Sequence, residues 1–230
     1  MLNCVNQLVD KGERAVVAIR MLSTVYKNSL SHLGREKKQH ASSQQLAFRI
    51  LIGTILSHRT RDEKTEIATQ QLLAKFPSPK KLAAASTAQI ITLIKPVGFY
   101  NSKARYVKEC SRQLVERFSG IVPQSMEELT SLTGVGRKTA GCVIAYAFEG
   151  AAIPVDSHVH QVANRLGIVK TKTPLQTEFA LMEIIPRKHW KEVNEVFVVH
   201  GQKTCVPLSP FCSRCPLSAM CSRVGVKKAR

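Results

Sequence analysis

Apolar residues recur along most of the chain at three- and four-residue spacings, the pattern of helices that bury one face. In one such segment, which ends at Gly120, the apolar positions are Tyr106, Val107, Cys110, Leu114, Val115 and Phe118. The basic positions on its opposite face are Lys103, Arg105, Lys108 and Arg112. Solvation and contact with a polyanion both explain these charges. No alternating run bounded by hairpin turns is found in the sequence, so the fold is predicted to be all-α.

Polar residues with capping spacing mark where two of the helices begin. Ser86 with Gln89, and Ser125 with Glu128, have the spacing at which a side-chain hydroxyl and a side chain three residues later cap a helix. Pro96 ends the first of these helices. After the second, a glycine turn leads into a segment from 139 to 148 that is apolar nearly all round, which predicts a central buried helix.

The net charge of the chain indicates which class of partner it binds. Its 230 residues include 34 Lys and Arg against 16 Asp and Glu, giving a formal net charge of +18 and a pI near 9.9. This balance favours a polyanion such as nucleic acid. The longest mostly apolar runs, 50–56 and 142–148, span seven residues each, short of the roughly 20 that cross a bilayer. Asp10 and Glu13 argue against a secretory signal, so we expect a soluble protein with no membrane partner.

Four of the seven cysteines lie within one short segment, at Cys205, Cys212, Cys215 and Cys221. A disulfide framework would not segregate cysteines in this way, so a reducing compartment and a metal centre are predicted. The spacings of six, two and five intervening residues suit four thiolates around one centre, and they leave zinc and an iron-sulfur cluster both open. The other three are Cys4, Cys110 and Cys142, interpreted as ordinary thiols.

The glycine turn between the two short helices is a candidate phosphate site. It leaves backbone N–H groups uncovered at the start of a helix, and such a terminus attracts phosphate. The predicted contacts are made by Gly134, Val135, Gly136 and Arg137. Contacts of this kind position a protein on DNA without reading sequence. A non-catalytic phosphate clamp is the simpler alternative to an active site.

Lys138 follows directly in the first turn of the apolar helix. The positive helix end and Arg137 both disfavour a second cation there, which favours a neutral, nucleophilic amine. Such an amine can attack the sugar C1′ of a flipped nucleotide, displace the base and leave a Schiff base, after which β-elimination cuts the strand. Asp156, predicted at the start of a later helix, could accept the amine proton and stabilise positive charge on the sugar. Its simpler alternative role is that of an N-cap.

Three ordered motifs resemble the endonuclease III family of helix-hairpin-helix DNA glycosylases. They are LTGVGRKTAGCVIAYAF, then VDSHVHQVANRLG, then the terminal cysteines, and the likeness runs from about residue 45 to 225, with LSHRTRDEKT and VGFYNSKA inside it. The resemblance implies that Lys138 and Asp156 are the catalytic pair. It implies a 4Fe-4S cluster on the four terminal cysteines. The implied substrate is double-stranded DNA containing a damaged pyrimidine or an abasic site.

The resemblance also implies two helical lobes that face each other across a DNA cleft. Residues 41–150 are expected to form a helical barrel domain with its hairpin at 126–148. Residues 151–230 are expected to form the cluster lobe, and one or more helices in 1–40 are expected to pack with it. We expect a monomer, located in the cytoplasm with the nucleoid in a prokaryote or in the nucleus of a eukaryote.

Three positions depart from the family pattern. Thr133 stands where the hairpin usually has proline, which predicts a slightly looser turn. Gln161 stands where arginine is common, so one ion pair or phosphate contact is in doubt. Arg59 stands where bacterial enzymes often carry a glutamine that fills the space of the flipped base. Arg59 is predicted to bind DNA there, and a surface salt bridge to Asp62 or Glu63 is the alternative.

These observations favour a bifunctional DNA glycosylase and abasic-site lyase of base excision repair that acts on oxidised pyrimidines. A mismatch glycosylase of the same fold, acting on adenine or on thymine or uracil opposite guanine, is an alternative that Lys138 disfavours. A non-enzymatic iron-sulfur protein that binds DNA or senses redox state is a second alternative. That protein would have no use for Lys138 and Asp156 together.

Overall fold

The computed structural model describes residues 11–27 and 42–230, and within these ranges every regular element is a helix. The all-α prediction is confirmed for this part of the chain. The α-helices in chain order are α1 Lys11–Val25, α2 Ser43–Ser57, α3 Asp62–Lys75, α4 Pro79–Ala84, α5 Thr87–Ile94, α6 Tyr100–Phe118, α7 Met126–Thr130, α8 Arg137–Cys142, α9 Ser157–Arg165, α10 Pro174–Ile184 and α11 Trp190–Lys203. A π-helical segment, Val143–Ala147, continues α8, and short 3₁₀ turns lie at Arg187–His189 and Cys212–Arg214.

The chain divides into two compact units. Residues 36–150 form one, called here the hairpin unit, and residues 1–35 with 151–230 form the other, called the cysteine unit. The predicted N-terminal region of 1–40 falls partly outside the described residues, as does Cys4. None of the helices in the described ranges has the length and apolar character that crossing a membrane requires.

The hairpin unit is built around α2, which is apolar on nearly all its faces and buries residues along its whole length. The hydroxyl of Ser42 caps its start by accepting from the Gln45 N–H at 3.2 Å. Neighbouring helices α3, α6 and α8 pack against it, together with the π-helical segment. Burial of such a helix provides most of its stability, because apolar surface leaves water on every side.

Helix starts in this unit follow the predicted caps. The Gln89 N–H donates to the Ser86 hydroxyl at 3.2 Å, and the Ser86 N–H donates to the Gln89 side chain at 3.0 Å, so the capping box is complete. At the start of α7 the Ser125 hydroxyl accepts from the Glu128 N–H as predicted, but the Glu128 carboxylate accepts from that hydroxyl, so only the serine half of this capping box is observed. The buried helix after the glycine turn is also confirmed, since Thr139 to Ala147 are all buried. Its second half is π-helical, which the apolar pattern did not predict.

The cysteine unit joins α1 to segments from the far end of the chain. Ala15, Ala18, Ile19 and Leu22 of α1 are fully buried in one core with side chains of α9 and α11. The Arg14 guanidinium donates to the backbone oxygens of Leu166 at 3.1 Å and Met220 at 2.7 Å. Helix α1 is therefore held both by apolar packing and by a charged side chain that bonds to the loop after α9 and to the cysteine segment.

Candidate active site

The two glycines of the hairpin turn have different physical roles. Gly134 has φ +79°, and a Cβ added there would lie 2.9 Å from the Cβ of Tyr106. Glycine is therefore required at 134 by the backbone and by the close approach of α6. Gly136 has an ordinary φ of −91°, is exposed, and has nothing within 4 Å of an added Cβ. Its missing side chain keeps open the space in front of α8.

The turn is held tightly despite the threonine that replaces the usual proline. The Val135 N–H donates to the Leu132 oxygen at 3.1 Å, which closes the turn and buries the Val135 side chain. The Thr133 N–H donates to the side-chain oxygen of Gln113 at 2.8 Å. Proline has no N–H and could not make this bond. The bond ties the turn to α6 and offsets the loosening predicted for Thr133.

Lys138 lies half-buried in the first turn of α8, beside Arg137, which is also half-buried. Within the described part of the chain no side chain caps this helix, and Gly136 occupies the cap position. The N–H groups of the first turn therefore face the open space left by Gly136, and their partial positive charge is not neutralised by a capping oxygen. The Lys138 side chain and an anion-attracting helix end thus belong to the same short segment.

A loop from the end of α2 adjoins this segment. The Nε2 atom of His58 lies 3.5 Å from the hydroxyl of Thr139, the residue after Lys138. Desolvation lowers the pKa of His58, and the positive charges of Lys138 and Lys103 lower it further. A neutral imidazole at physiological pH therefore lies next to the residue that follows Lys138.

Arg59 of the same loop is exposed, and its φ of 51° is in the left-handed region. Its guanidinium lies 5.9 Å from the ring centroid of Phe99, which is 64% exposed and has a left-handed φ of 57°. Two non-glycine residues in strained conformations thus stand next to each other and present large side chains to solvent. Strain of this kind persists only where surrounding contacts impose it.

Lys103 is buried, contrary to the prediction from the sequence pattern. The helical spacing placed it on a solvated or DNA-facing side of α6, but it is only 4% exposed, so that prediction is wrong. Its ammonium group donates to two backbone oxygens and one hydroxyl at the end of α2. Arg112, from the same predicted face, is half-exposed and pairs with Glu109 and Glu116. The difference arises because α6 packs its first turns against the loop after α2, a long-range contact that periodicity does not report.

Asp156 belongs to the cysteine unit, whereas Lys138 belongs to the hairpin unit. As predicted, Asp156 is the N-cap of α9, and one carboxylate oxygen, Oδ1, accepts from the N–H groups of His158 at 2.8 Å and Val159 at 2.9 Å. The cap uses Oδ1 for both bonds. The bonds fix the carboxylate rigidly at the helix start, in a half-buried position.

The four clustered cysteines line a single small cavity, together with Arg165 and His200. All four are free thiols. Burial raises the pKa of Cys215 to about 11 and also raises the pKa of Cys221, and the neighbouring thiols add to both effects. Thiols in this setting stay protonated unless cations bind among them. The four cysteines are therefore the residues that could hold an inorganic cofactor.

Several N–H groups are directed at these sulfur atoms. Arg165 Nη1 lies 3.4 Å from the sulfur of Cys205, and the Arg223 N–H lies 3.4 Å from the sulfur of Cys221. A ring nitrogen of His200 lies 3.7 Å from the sulfur of Cys215. Such contacts stabilise negative charge on metal-bound sulfur. In the described ranges, however, no three His, Cys, Asp or Glu side chains form a group arranged to hold a metal ion.

Gln161 and Arg165 of α9 fix the start of the cysteine segment. Gln161 donates to the backbone oxygen of Cys205 at 2.6 Å. The Arg165 guanidinium donates to the oxygens of Cys205 at 3.2 Å, Val206 at 2.8 Å and Pro207 at 2.7 Å. Sequence reasoning treated Gln161 as a lost charge and did not single out Arg165. Both side chains instead hold the loop that carries the cysteines, which only the tertiary structure could reveal.

Comparison with known proteins agrees with this geometry. Residues 52–187 match the family model of the HhH-GPD superfamily base excision DNA repair proteins. Endonuclease III of Thermotoga maritima is 47% identical over 174 residues, which cover 76% of this chain and 82% of that protein. Endonuclease III of Synechocystis is 33% identical, with 96% and 97% of the two chains covered. The solved structure of a trapped endonuclease III–DNA covalent intermediate superposes with a TM-score of 0.81 at 29% identity, covering 94% of this chain and 97% of that one.

The helical fold and the glycine hairpin thus define a base excision DNA repair protein of the helix-hairpin-helix superfamily. Within that superfamily the chain belongs to the endonuclease III family, the DNA glycosylases that are also abasic-site lyases. The match begins in α2 and ends after α10, so it includes Arg59, the hairpin and Asp156. The cysteine segment lies beyond the matched residues and is covered by the full-length relative from Synechocystis.

Proposed function

We propose that this enzyme excises oxidised pyrimidines from double-stranded DNA and then cleaves the strand at the abasic site, with Lys138 as the nucleophile and Asp156 as its carboxylate partner. The observation that carries the proposal is the position of Lys138 in the first turn of an uncapped helix, in front of which Gly136 leaves open space. A phosphate and a sugar can approach the amine there without steric hindrance. We further propose that the enzyme acts as a monomer on genomic DNA, in the nucleoid of a prokaryote or the nucleus of a eukaryote.

In the proposed reaction the neutral amine of Lys138 attacks C1′ of a flipped nucleotide. The bond between C1′ and the base breaks, the base leaves with the electron pair, and it is protonated from solvent. Asp156 accepts a proton from the amine and stabilises the positive charge on the sugar. Asp156 then gives its proton to O4′ as the sugar ring opens, which leaves a protonated Schiff base on Lys138. Water takes up a C2′ proton, the 3′ phosphate leaves with the electron pair of its C–O bond, and water hydrolyses the Schiff base and releases the enzyme.

Phosphate binding is assigned to the hairpin, through the backbone N–H groups of Gly134, Val135 and Gly136 and the side chain of Arg137. The net charge of +18 supports this assignment, because phosphate contacts dominate the affinity of basic proteins for DNA. Arg59 is assigned to the space that the flipped base vacates. Its exposure and its position next to Phe99 support a side chain that enters the duplex.

A 4Fe-4S cluster is proposed on Cys205, Cys212, Cys215 and Cys221. Four thiols around one shared cavity, with N–H groups directed at two of the sulfurs and a histidine ring nitrogen near a third, fit a polynuclear centre in which each cysteine binds a different iron. Bound there, the cluster would supply the cations that keep four half-buried sulfurs as thiolates. The chain's own part is to hold a basic loop, with Arg214 stacked 3.9 Å from the centroid of Phe211, as a rigid surface for DNA phosphates.

Borohydride trapping tests the proposal directly, because it reduces the Schiff base to a permanent crosslink. Wild-type protein is mixed with duplexes that contain thymine glycol or an abasic site, alongside Lys138→Ala and the matched control Lys80→Ala, which removes an exposed lysine of the same unit. We expect crosslinks with wild type and Lys80→Ala and none with Lys138→Ala. A wild-type protein that excises the base without crosslinking would refute the lyase mechanism, and crosslinking by Lys138→Ala would refute the residue assignment.

The same assay decides the substrate. A panel of duplexes contains oxidised pyrimidines, mismatched adenine, and thymine or uracil opposite guanine. The rate of excision of each base is measured under single-turnover conditions. Faster excision of a mismatched base than of thymine glycol would replace the proposed substrate class with a mismatch. Binding without excision of any base would leave a non-enzymatic iron-sulfur DNA-binding protein.

A further inference from the structure

We infer that Lys103 is a positioning residue, which holds the loop 58–60 in the conformation that presents Arg59 to DNA. The inference rests on the proposed function, because it assigns a cause to the placement of a DNA-binding side chain. Lys103 lies in the first turn of α6 and has no assigned role in the reaction. It is the one lysine among the buried polar residues of the described chain.

The ammonium group of Lys103 is fully hydrogen-bonded by the loop. It donates to the backbone oxygen of Leu56 at 2.6 Å, to that of His58 at 2.6 Å and to the hydroxyl of Thr60 at 2.8 Å. An ammonium has three N–H donors, and here each finds an acceptor. A buried charge is tolerated only with such complete bonding. The acceptors lie at the C-terminal end of α2, where the helix dipole also favours a cation.

These bonds fix the backbone on both sides of Arg59. The His58 oxygen belongs to the peptide group that joins His58 to Arg59, and Thr60 follows Arg59 directly. With both neighbours held by one ammonium group, Arg59 keeps the left-handed φ of 51° that a non-glycine residue otherwise avoids. The Thr60 N–H also donates to the Ser57 oxygen at 3.0 Å, so loss of Lys103 would keep this turn but weaken the hold on the peptide between His58 and Arg59. Rotation about that peptide would redirect the Arg59 side chain.

Thr60 extends the constraint to the second exposed residue. Its hydroxyl also accepts from the Gly98 N–H at 3.1 Å, and a Cβ added to Gly98 would lie 3.1 Å from the Arg59 oxygen. The loop 58–60 and the turn before α6 are therefore closely packed through one hydroxyl. Because Phe99 directly follows Gly98, Lys103 indirectly sets the position of Phe99 relative to Arg59.

The loop also reaches the nucleophile. The His58 ring is within 3.5 Å of the Thr139 hydroxyl, and its pKa responds to the charges of both Lys138 and Lys103. A single buried ammonium group thus holds the loop that carries Arg59 and that reaches, through His58, the residue next to Lys138. Loss of Lys103 is therefore expected to impair a step after DNA binding, with phosphate contacts of the hairpin unchanged.

A double-mutant cycle between Lys103→Met and Arg59→Ala tests this inference. Base flipping is followed by the fluorescence of 2-aminopurine placed opposite a thymine glycol, and excision by single-turnover kinetics. We expect each single variant to slow flipping and excision at least about tenfold, and the double variant to be no slower than the single ones, because Lys103 acts through Arg59. The dissociation constant for undamaged duplex should change less than threefold for Lys103→Met, about as for the control Lys80→Met.

The inference would be overturned if the rate reductions of the two single variants multiplied in the double variant. It would also be overturned if Lys103→Met flipped the base at the wild-type rate. If Lys103→Met does not fold, as judged by thermal unfolding, Thr60→Val takes its place in the cycle, since it removes the bridging hydroxyl at nearly constant volume. A parallel loss of duplex affinity and excision would also count against a positioning role. If the wild-type protein still crosslinks to DNA under borohydride, the proposed function holds and only this inference fails. If the wild-type protein does not crosslink, the proposed function itself fails.

Discussion

The hairpin unit and the cysteine unit stabilise their functional groups in opposite ways. In the hairpin unit a buried cation, Lys103, is neutralised by the chain's own oxygens, so the strained loop beside the hairpin is complete as folded. In the cysteine unit four thiols surround a cavity, and burial disfavours the thiolate form of Cys215 and Cys221. The first arrangement requires only packing and hydrogen bonds. In the second, the proposed cluster would supply the cations that stabilise thiolates, so we expect the two units to respond differently to mutation and to loss of metal.

The largest contrast is expected between cysteines of the two units. Cys212→Ala removes one proposed cluster ligand and should abolish the visible iron-sulfur absorbance of the purified protein. Metal binding contributes on the order of 10 kcal/mol to the folding of small structural sites, so we expect a loss of several kcal/mol. Limited proteolysis should then cleave residues 151–230 much faster and leave 36–150 resistant.

Cys110→Ala is the matched control in the hairpin unit. Cys110 is fully buried, and burial raises its pKa to about 12, so its thiol behaves as a small apolar group. We expect unchanged iron content and absorbance with a loss of about 1–2 kcal/mol. Equal loss of absorbance in both variants, or a colourless wild type that contains zinc, would contradict the proposed division between the units.

The next largest effect is expected at Asp156, where capping and catalysis can be separated. Asparagine caps helices as well as aspartate, so Asp156→Asn should keep the thermal stability of wild type while lowering single-turnover excision about 10²- to 10⁴-fold. Asp156→Ala should lose the same activity and in addition about 1 kcal/mol of stability. Normal excision by Asp156→Asn would leave Asp156 as an N-cap only.

A smaller effect separates the two hairpin glycines. Gly134→Ala places a side chain at a left-handed φ and against Tyr106, and should cost about 2–3 kcal/mol of stability. Gly136→Ala meets nothing in the protein and should unfold at the wild-type temperature while binding undamaged duplex more weakly. Thermal unfolding measures the stability of each variant, and a salt titration measures its affinity for undamaged duplex. Equal destabilisation by the two changes would mean that Gly136 is also a structural glycine.

Local signals were sufficient to predict much of the fold and the order of the site residues. The Ser86 capping box, the N-cap at Asp156 and the buried helix after Gly136 depend on residues close in sequence, and the structure contains all three. The family motifs supplied Lys138 and the cysteine set. These features are readable because their physical causes act within one or two helical turns.

Long-range hydrogen bonds account for what the sequence could not reveal. Lys103 shares a helical face with Arg105 and Lys108, and only its contact with a loop more than 40 residues earlier in the chain distinguishes it. Gln161 was interpreted as a missing charge because its acceptor, the Cys205 oxygen, is 44 residues away. Periodicity reports which side of a helix is polar, and it does not report whether water or protein provides the hydrogen bonds.

The smallest expected effect is a pH dependence of stability that belongs to Lys103. Burial lowers its pKa to about 8 from an ordinary value of 10.5. Between these two pH values the unfolded chain binds a proton that the folded protein does not, so the free energy of unfolding rises with pH, by at most about 1.4 kcal/mol per pH unit. Lys103→Met lacks this group, whereas His58, on which the charge of Lys103 acts, is present in both proteins and is neutral throughout this pH range. Urea unfolding at roughly pH 7.5, 9 and 10 should therefore show wild type gaining stability relative to the variant as pH rises. A difference between the two proteins that is constant over this range would mean that Lys103 titrates normally, and that its ammonium group is less desolvated than its burial indicates.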